Sequence, residues 1–298
     1  GKHFYVNPAA GSTDDTGGPW PILQEAGVAF EGITGLQAAI DASVADRGDV
    51  IHVRRGYWQP TATINFNKQG LTVIGQVWGM NDAQRGEYCT IDSSHTDGPA
   101  ARITKGTHIY GLGFAGAQAS GDDVTAACIV DGNAAATDGY GTWLRGCRFV
   151  NWDRNAVNYG LFLRGPAGVR VDDCAFSGGA TNALVGGIAI GMSLAAGGRP
   201  ATGNEIRDCT FQYCTYAIEQ LSQGGNLMRN TLIRHNFVID GGKFLNHNAI
   251  SGNDGVLVAD NYFSTAVGAS TFDEALATLE TDGIIFSGNH YKADLQQV

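Results

Sequence analysis

The stretch VDDCAF, residues 171–176, sets an apolar residue, two polar residues, a cysteine and a phenylalanine in a fixed order. The same order returns as LRGCRF at 144–149 and as IRDCTF at 206–211. Extending the frame in both directions brings VIGQVW (73–78), IYGLGF (109–114), IRHNFV (233–238), VADNYF (258–263) and FSGNHY (286–291) into register. The anchor positions are Gln76, Leu112, Cys147, Cys174, Cys209, Asn236, Asn261 and Asn289, separated by 36, 35, 27, 35, 27, 25 and 28 residues. A period of about 20 to 50 residues is the mark of a solenoid or a similar array.

Between anchors the chain holds further short apolar or alternating stretches, such as GGIAIGMSLA and CTYAIEQLS. Two or three strands of a few residues plus turns fill about 25 residues, whereas a propeller blade needs about 40 or more. The spacing therefore predicts an all-β parallel solenoid in which equivalent residues stack about 4.8 Å apart. Val73, Ile109, Leu144, Val171, Ile206, Ile233, Val258 and Phe286 then form one inward column. Trp78, Phe114, Phe149, Phe176, Phe211, Val238, Phe263 and Tyr291 form a second. The anchor lies at the bend between them, where Asn is favoured for its tolerance of the left-handed region and its local hydrogen bonds. Cys147, Cys174 and Cys209 substitute for Asn in the middle of the same structural ladder as Asn236, Asn261 and Asn289.

Composition agrees with many turns between short strands: 43 glycines stand against 7 prolines, with no collagen period. One segment reads as helix, TGLQAAIDASVADRG, with Thr34 as cap, Leu36, Ala39, Ile40 and Val44 on one face and Gly48 as stop. The expected layout is a single domain over 1–298. It has a cap segment at 1–48 with a helix at about 35–46, coils over 49–291 and a tail at 292–298.

A formal net charge of −10 lacks the cationic footprint of a nucleic-acid binder. No window of the sequence is apolar enough to span a membrane. The six cysteines Cys89, Cys128, Cys147, Cys174, Cys209 and Cys214 lack C-x-x-C spacing. They read as free, buried thiols of a chain that folds in a reducing compartment.

The segments YVNPAAGSTDDTG (5–17), GLQAAIDASVADRGDVIHVRRGYW (35–58) and GLTVIG (70–75), with the asparagine ladder, resemble the pectin-lyase-like right-handed parallel β-helix superfamily. That superfamily includes pectate lyases, polygalacturonases and phage tailspikes. The resemblance implies a right-handed parallel β-helix with an N-terminal capping helix. One fold hosts many activities, so function has to be read from residues.

Asp153 in NWD, followed 19 residues later by Asp172 and Asp173 in VDDC, is similar to the first two polygalacturonase motifs. A Gly-His-Gly and an Arg-Ile-Lys motif do not follow, so no catalytic residue is assigned. These three aspartates are the candidates only if the chain is a polysaccharide lyase or glycoside hydrolase acting on acidic or bacterial surface polysaccharide. Asp173, Asp208, His235 and Asp260 form a column just before the anchors, which reads as solvent-facing turn positions. Calcium (Ca2+) enters only under the lyase reading, and otherwise no metal or cofactor is expected. Arg145, Asp172 and Arg207 fall in consecutive coils of one column and read as cross-coil ion pairs. Trp20 and Trp152 are the tryptophans expected to face outward.

The incomplete catalytic set, the free cysteines and the nearly continuous solenoid favour a non-enzymatic virion component. This would be a capsid-decoration or tail-spike-type β-helix that contacts host surface glycans. Its expected partners are its own copies, a trimer being favoured, or other virion proteins, together with polysaccharide. Its expected location is the virion, or outside the cell under the enzymatic alternative.

Overall fold

The computed structural model describes residues 1–7, 29–75, 89–92, 98–116, 126–132, 139–150, 159–178, 184–191, 200–221, 228–239, 242–246, 253–264 and 283–291. Among them three long sheets stack coil upon coil, sheet A with eleven strands, sheet B with nine and sheet C with seven. One coil runs from Trp143–Arg145 in A through Arg148–Val150 in B to Tyr159–Arg164 in C. It then rejoins A one strand further on at Arg170–Asp172. Neighbouring strands pair in parallel. The molecule is a right-handed parallel β-helix, the hand that parallel crossovers take.

The first inward column stands as the frame predicts: Val73 pairs with Ile109, and the chain of partners continues through Leu144, Val171, Ile206, Ile233 and Val258 to Phe286. Every member from Val73 to Val258 is fully buried. In the second column Phe114, Phe149, Phe176 and Phe211 stack face to face, with centroids 5.3, 4.7 and 4.8 Å apart. Val238, Phe263 and Tyr291 follow in register.

The place expected for Trp78 in that column is held by Ile91. Ile91 is the partner of Phe114, and Trp58 is the partner of Ile91. Elsewhere two residues separate an A strand from the next B strand, but thirteen lie between Gly75 and Cys89. Gln76 and Trp78 lie in that insertion, outside the described residues.

The interior matches large residues to small ones across the B–C corner. The positions in sheet C that face the phenylalanine stack are Gly160, Gly187 and Ala217. A Cβ on Gly160 would come within 2.9 Å of Phe176, and one on Gly187 within 2.4 Å of Phe211. Where the stack thins to Val238, the next sheet-C residue in that column is Phe244, which packs on Phe263 at 4.5 Å. Burying each of these rings contributes about 1.5–3 kcal/mol, provided no void or overlap is left.

The turn between A and B corrects one expectation. The left-handed residue is the one before each anchor: Gly111, Gly146, Asp173, Asp208, His235, Asp260 and Gly288 all have φ between 53° and 64°. Gly, Asp and His are the types that occupy that region most readily. The anchor itself is selected for its hydrogen bonds. Cys147, Cys174 and Cys209 direct their thiols at the carbonyls of Ile109, Leu144 and Val171. Asn236, Asn261 and Asn289 donate to the carbonyls of Ile206, Ile233 and Val258. The three cysteines are thus rungs of the asparagine ladder, and all six cysteines are free and buried.

The helix covers Gly35–Ala42, shorter than the expected 35–46. Ser43 turns extended and its hydroxyl donates to the Ile40 carbonyl, so Val44 faces solvent. Thr34 holds the N-cap position without making a side-chain cap bond. Leu36, Ala39 and Ile40 seal the first coil beneath the strand His3–Asn7.

Candidate functional site

Sheets A and B consist of strands of two to five residues, and sheet C carries the long ones. Ala126–Asp131, Tyr159–Arg164, Leu184–Gly191 and Cys214–Gln220 run for six to eight residues. Side chains alternate between faces along a strand except at its bend, where Ala127 with Cys128 and Gly160 with Leu161 both face the core, so each coil still presents several residues outward. Their inward members, among them Cys128, Val130, Leu161, Leu163, Ile188 and Ile190, belong to the main core. Their outward members Ala126, Ile129, Tyr159, Phe162 and Ala189, with Leu221, form a second apolar cluster that is also buried. A solenoid strand that faced only water would carry polar residues there.

Each end of this apolar strip is polar. At one end Asp131 and Arg164 are register partners, and Arg164 grips the carboxylate with Nε donating to Oδ1 at 3.1 Å and its terminal nitrogen bonded to Oδ2. Arg102 adds a bond to Oδ2 at 3.3 Å. At the other end the Tyr159 hydroxyl donates to Glu219 at 2.5 Å, and the Asn246 amide donates to the second carboxylate oxygen at 2.9 Å. Tyr159 and Glu219 are two strands apart. Tyr159 spans the gap because Gly186 lies beneath its ring, where a Cβ would come within 2.6 Å of Cδ1. Burial, then the adjacent Glu219, pushes the Tyr159 hydroxyl far above the usual phenol range, so it stays a donor. Tyr216 and Lys243, register partners and half-buried, continue the outer column that contains Tyr159.

This cluster and its polar ends are already covered within the folded chain, and the residues of the outer column beside it that stay accessible are the half-buried Tyr216 and Lys243. None of Tyr159, Glu219, Asn246, Asp131, Arg164 or Arg102 stands out by motif. Their only trace in the sequence is that Asp131 and Arg164, or Tyr159 and Gly186, fall at equivalent points of successive coils.

The aspartates singled out from sequence lie elsewhere. Asp172 is buried in sheet A, with Arg207 at 3.0 Å and Arg145 at 3.7 Å. The expected cross-coil ion pairs are therefore present, and Arg234 with Glu205 at 2.8 Å extends them. Asp173 is exposed at the A–B corner in the left-handed conformation. Asp153, Trp20 and Trp152 lie outside the described residues. In the column before the anchors, His235 stands 3.8 Å from both Asp208 and Asp260, all half-exposed. No group of three His, Cys, Asp or Glu side chains converges to hold a metal ion among the described residues. No helix among them is long and apolar enough to cross a membrane.

No protein-family model matches the chain, and no curated protein matches it. Among solved structures, an alginate lyase from Paenibacillus sp. str. FPU-7 aligns with a TM-score of 0.50 at 14% identity, over 87% of this chain and 95% of that one. A pectin methylesterase from Aspergillus niger aligns with a TM-score of 0.46 at 13% identity, over 97% and 84%. The ORF18 protein of Geobacillus virus E2 aligns with a TM-score of 0.41 at 13% identity, over 87% of this chain and 58% of that one. At such identities the likeness is one of fold. With its three parallel sheets, asparagine ladder and capping helix, the chain folds as a right-handed parallel β-helix.

Proposed function

We propose that the chain is a non-catalytic β-helix of a virion exterior that contacts polysaccharide along the outer face of sheet C. The observation that carries the non-catalytic part is the state of the buried carboxylates. Asp172 lies between Arg145 and Arg207, Asp131 lies between Arg102 and Arg164, and Glu219 is held by Tyr159 and Asn246. A general acid needs a proton to give, and a general base needs an open lone pair directed at substrate. Carboxylates so engaged act as fixed acceptors. The glycan contact is supported by the half-buried Tyr216 and Lys243, neighbours in the outer column of sheet C, and by the likeness in fold to an alginate lyase.

One observation favours a second reading, a polysaccharide lyase. Tyr216 and Lys243 sit side by side in the outer column of sheet C, where Lys243 would take the proton next to a uronate carboxylate and Tyr216 would protonate the leaving oxygen. The test is to incubate the protein with alginate, pectin and bacterial capsular polysaccharides, following retention by affinity electrophoresis and new reducing or unsaturated ends. Retention without new ends, weakened at least tenfold in Tyr216→Ala, is the expected result. New ends that vanish in Lys243→Ala would replace the proposal with the lyase reading. Absence of both retention and product across the panel would overturn both.

A further inference from the structure

On the outer face of sheet A, at the opposite end of the coil stack from the last coil, two imidazoles meet. His3 lies in the strand His3–Asn7 and His52 in its neighbour Val50–Val53, where the register sets His3 opposite Val50 and Tyr5 opposite His52. The two histidines are therefore diagonal neighbours on one face, and Nδ1 of His3 is 2.9 Å from Nε2 of His52. Tyr5 stacks on His52 with centroids 4.9 Å apart and planes 13° apart, and the His52 and His3 rings lie nearly parallel, 12° apart, with centroids 5.2 Å apart and their nitrogens edge to edge. Neither ring has an ion-pair partner among the described residues, and His3 is exposed to solvent.

We propose that His3 and His52 form a two-imidazole site for a divalent transition metal, with water filling the remaining positions. Imidazole nitrogens bind such ions at about 2.0–2.1 Å, and two nitrogens of one tetrahedral ion are then roughly 3.3 Å apart. The pair has to open by only a few tenths of an ångström, and an exposed His3 ring is free to make that movement. In the hydrogen bond one facing nitrogen carries the proton and the other the lone pair; when the donor ring moves its proton to its other nitrogen, both facing nitrogens offer a lone pair, and a metal takes up the two. Imidazole pairs favour zinc, nickel and copper over calcium and magnesium, which take oxygen ligands. The ion would join the strand His3–Asn7 to the first full coil, at the end that the helix Gly35–Ala42 covers. The site is independent of the glycan-contact face on sheet C and of calcium.

The experiment uses zinc ion as the probe with the whole chain. Isothermal titration should give one equivalent of bound zinc, at least tenfold weaker in His3→Gln and in His52→Gln and lost in the double variant. Zinc should also raise the thermal midpoint of the parent and not that of His52→Gln. Far-UV circular dichroism of each variant without zinc checks that the fold is kept. No bound zinc in the parent would overturn the proposal. So would undiminished binding in His52→Gln, because an ion held without His52 is not held by the imidazole pair.

Discussion

Asn261 is fully buried and sits in the middle of the asparagine run. Its Oδ1 accepts from both the backbone N–H and the side-chain amide of Asn236, each at 2.9 Å. Its Nδ2 donates to the Ile233 carbonyl at 3.1 Å and to Oδ1 of Asn289 at 2.9 Å. Replacing Asn261 with Ala removes all four bonds. Neutral hydrogen bonds contribute about 1 kcal/mol each, and a buried backbone donor left without a partner costs about 1–3 kcal/mol more. The expected loss is about 5–7 kcal/mol. Asn261→Cys restores one donor toward the Ile233 carbonyl, the arrangement that Cys209 makes with Val171, and leaves the Asn236 N–H unpaired. It should cost about 1 kcal/mol less than Ala. The measurement is equilibrium unfolding in urea, followed by far-UV circular dichroism and compared at unchanged slope. A loss below about 1 kcal/mol for Asn261→Ala, or a Cys variant less stable than Ala, would refute the account of cysteines as rungs of the same ladder.

Two further outcomes follow from packing and charge. Gly187→Ala puts a methyl 2.4 Å from Phe211 and 2.8 Å from the Ala217 carbonyl, so it should destabilise by about 1–3 kcal/mol. Adding Phe211→Leu should recover part of that loss in the same urea assay, and no recovery would exclude the ring as the obstacle. Asp49 is buried beside Arg47. Burial alone would raise its carboxyl, but the Arg47 bond and the N–H groups of Val44 and Lys2 outweigh it and hold it well below the usual range. A carboxylate depressed in the folded state adds stability above its unfolded pKa of about 4, and that stability is lost as pH falls through the folded value. Thermal midpoints of the parent should therefore drop steeply below about pH 4, and Asp49→Asn should be less stable at pH 7 with a flatter acid limb. Parallel acid limbs in the two proteins would contradict this.

The ladder was legible because its geometry repeats without variation. In eight coils two residues, and no more, join the A strand to the B strand, and from Thr107–Tyr110 onward apolar, left-handed, ladder and aromatic positions recur at fixed offsets. Trp78 falls out of the frame where that constancy fails, since the thirteen residues between Gly75 and Cys89 break the offset and the motif spacing carries no sign of it. The left-handed residue was misassigned by one place because Asn suits both roles, and only the hydrogen bonds of Asn236 and Asn261 separate them. The helix ended early because Ser43 bonds back to Ile40, a local competition that the spacing of Val44 does not reveal. Glu219 lay within a stretch read as a strand, but its partners Tyr159 and Asn246 are 60 and 27 residues away.

The same contrast locates the place where this fold can vary its chemistry. The separations between anchors range from 25 to 36 residues, yet the A–B corner is nearly constant, so almost all of the variation falls in the segments that flank sheet C. From B to C the chain takes a single residue between Gln212 and Cys214 but eight between Val150 and Tyr159. Loop closure grows only as the logarithm of length, so such insertions disturb the stack little. A change in the A–B corner would shift ladder, left-handed residue and phenylalanine stack together, whereas a change beside sheet C alters only what borders its outer face. Sheet C is therefore the side on which this fold can change its chemistry without disturbing the stack. Arg102, Asp131, Tyr159, Arg164 and Glu219 sit there, and Asp172, between two arginines on sheet A, belongs to the scaffold.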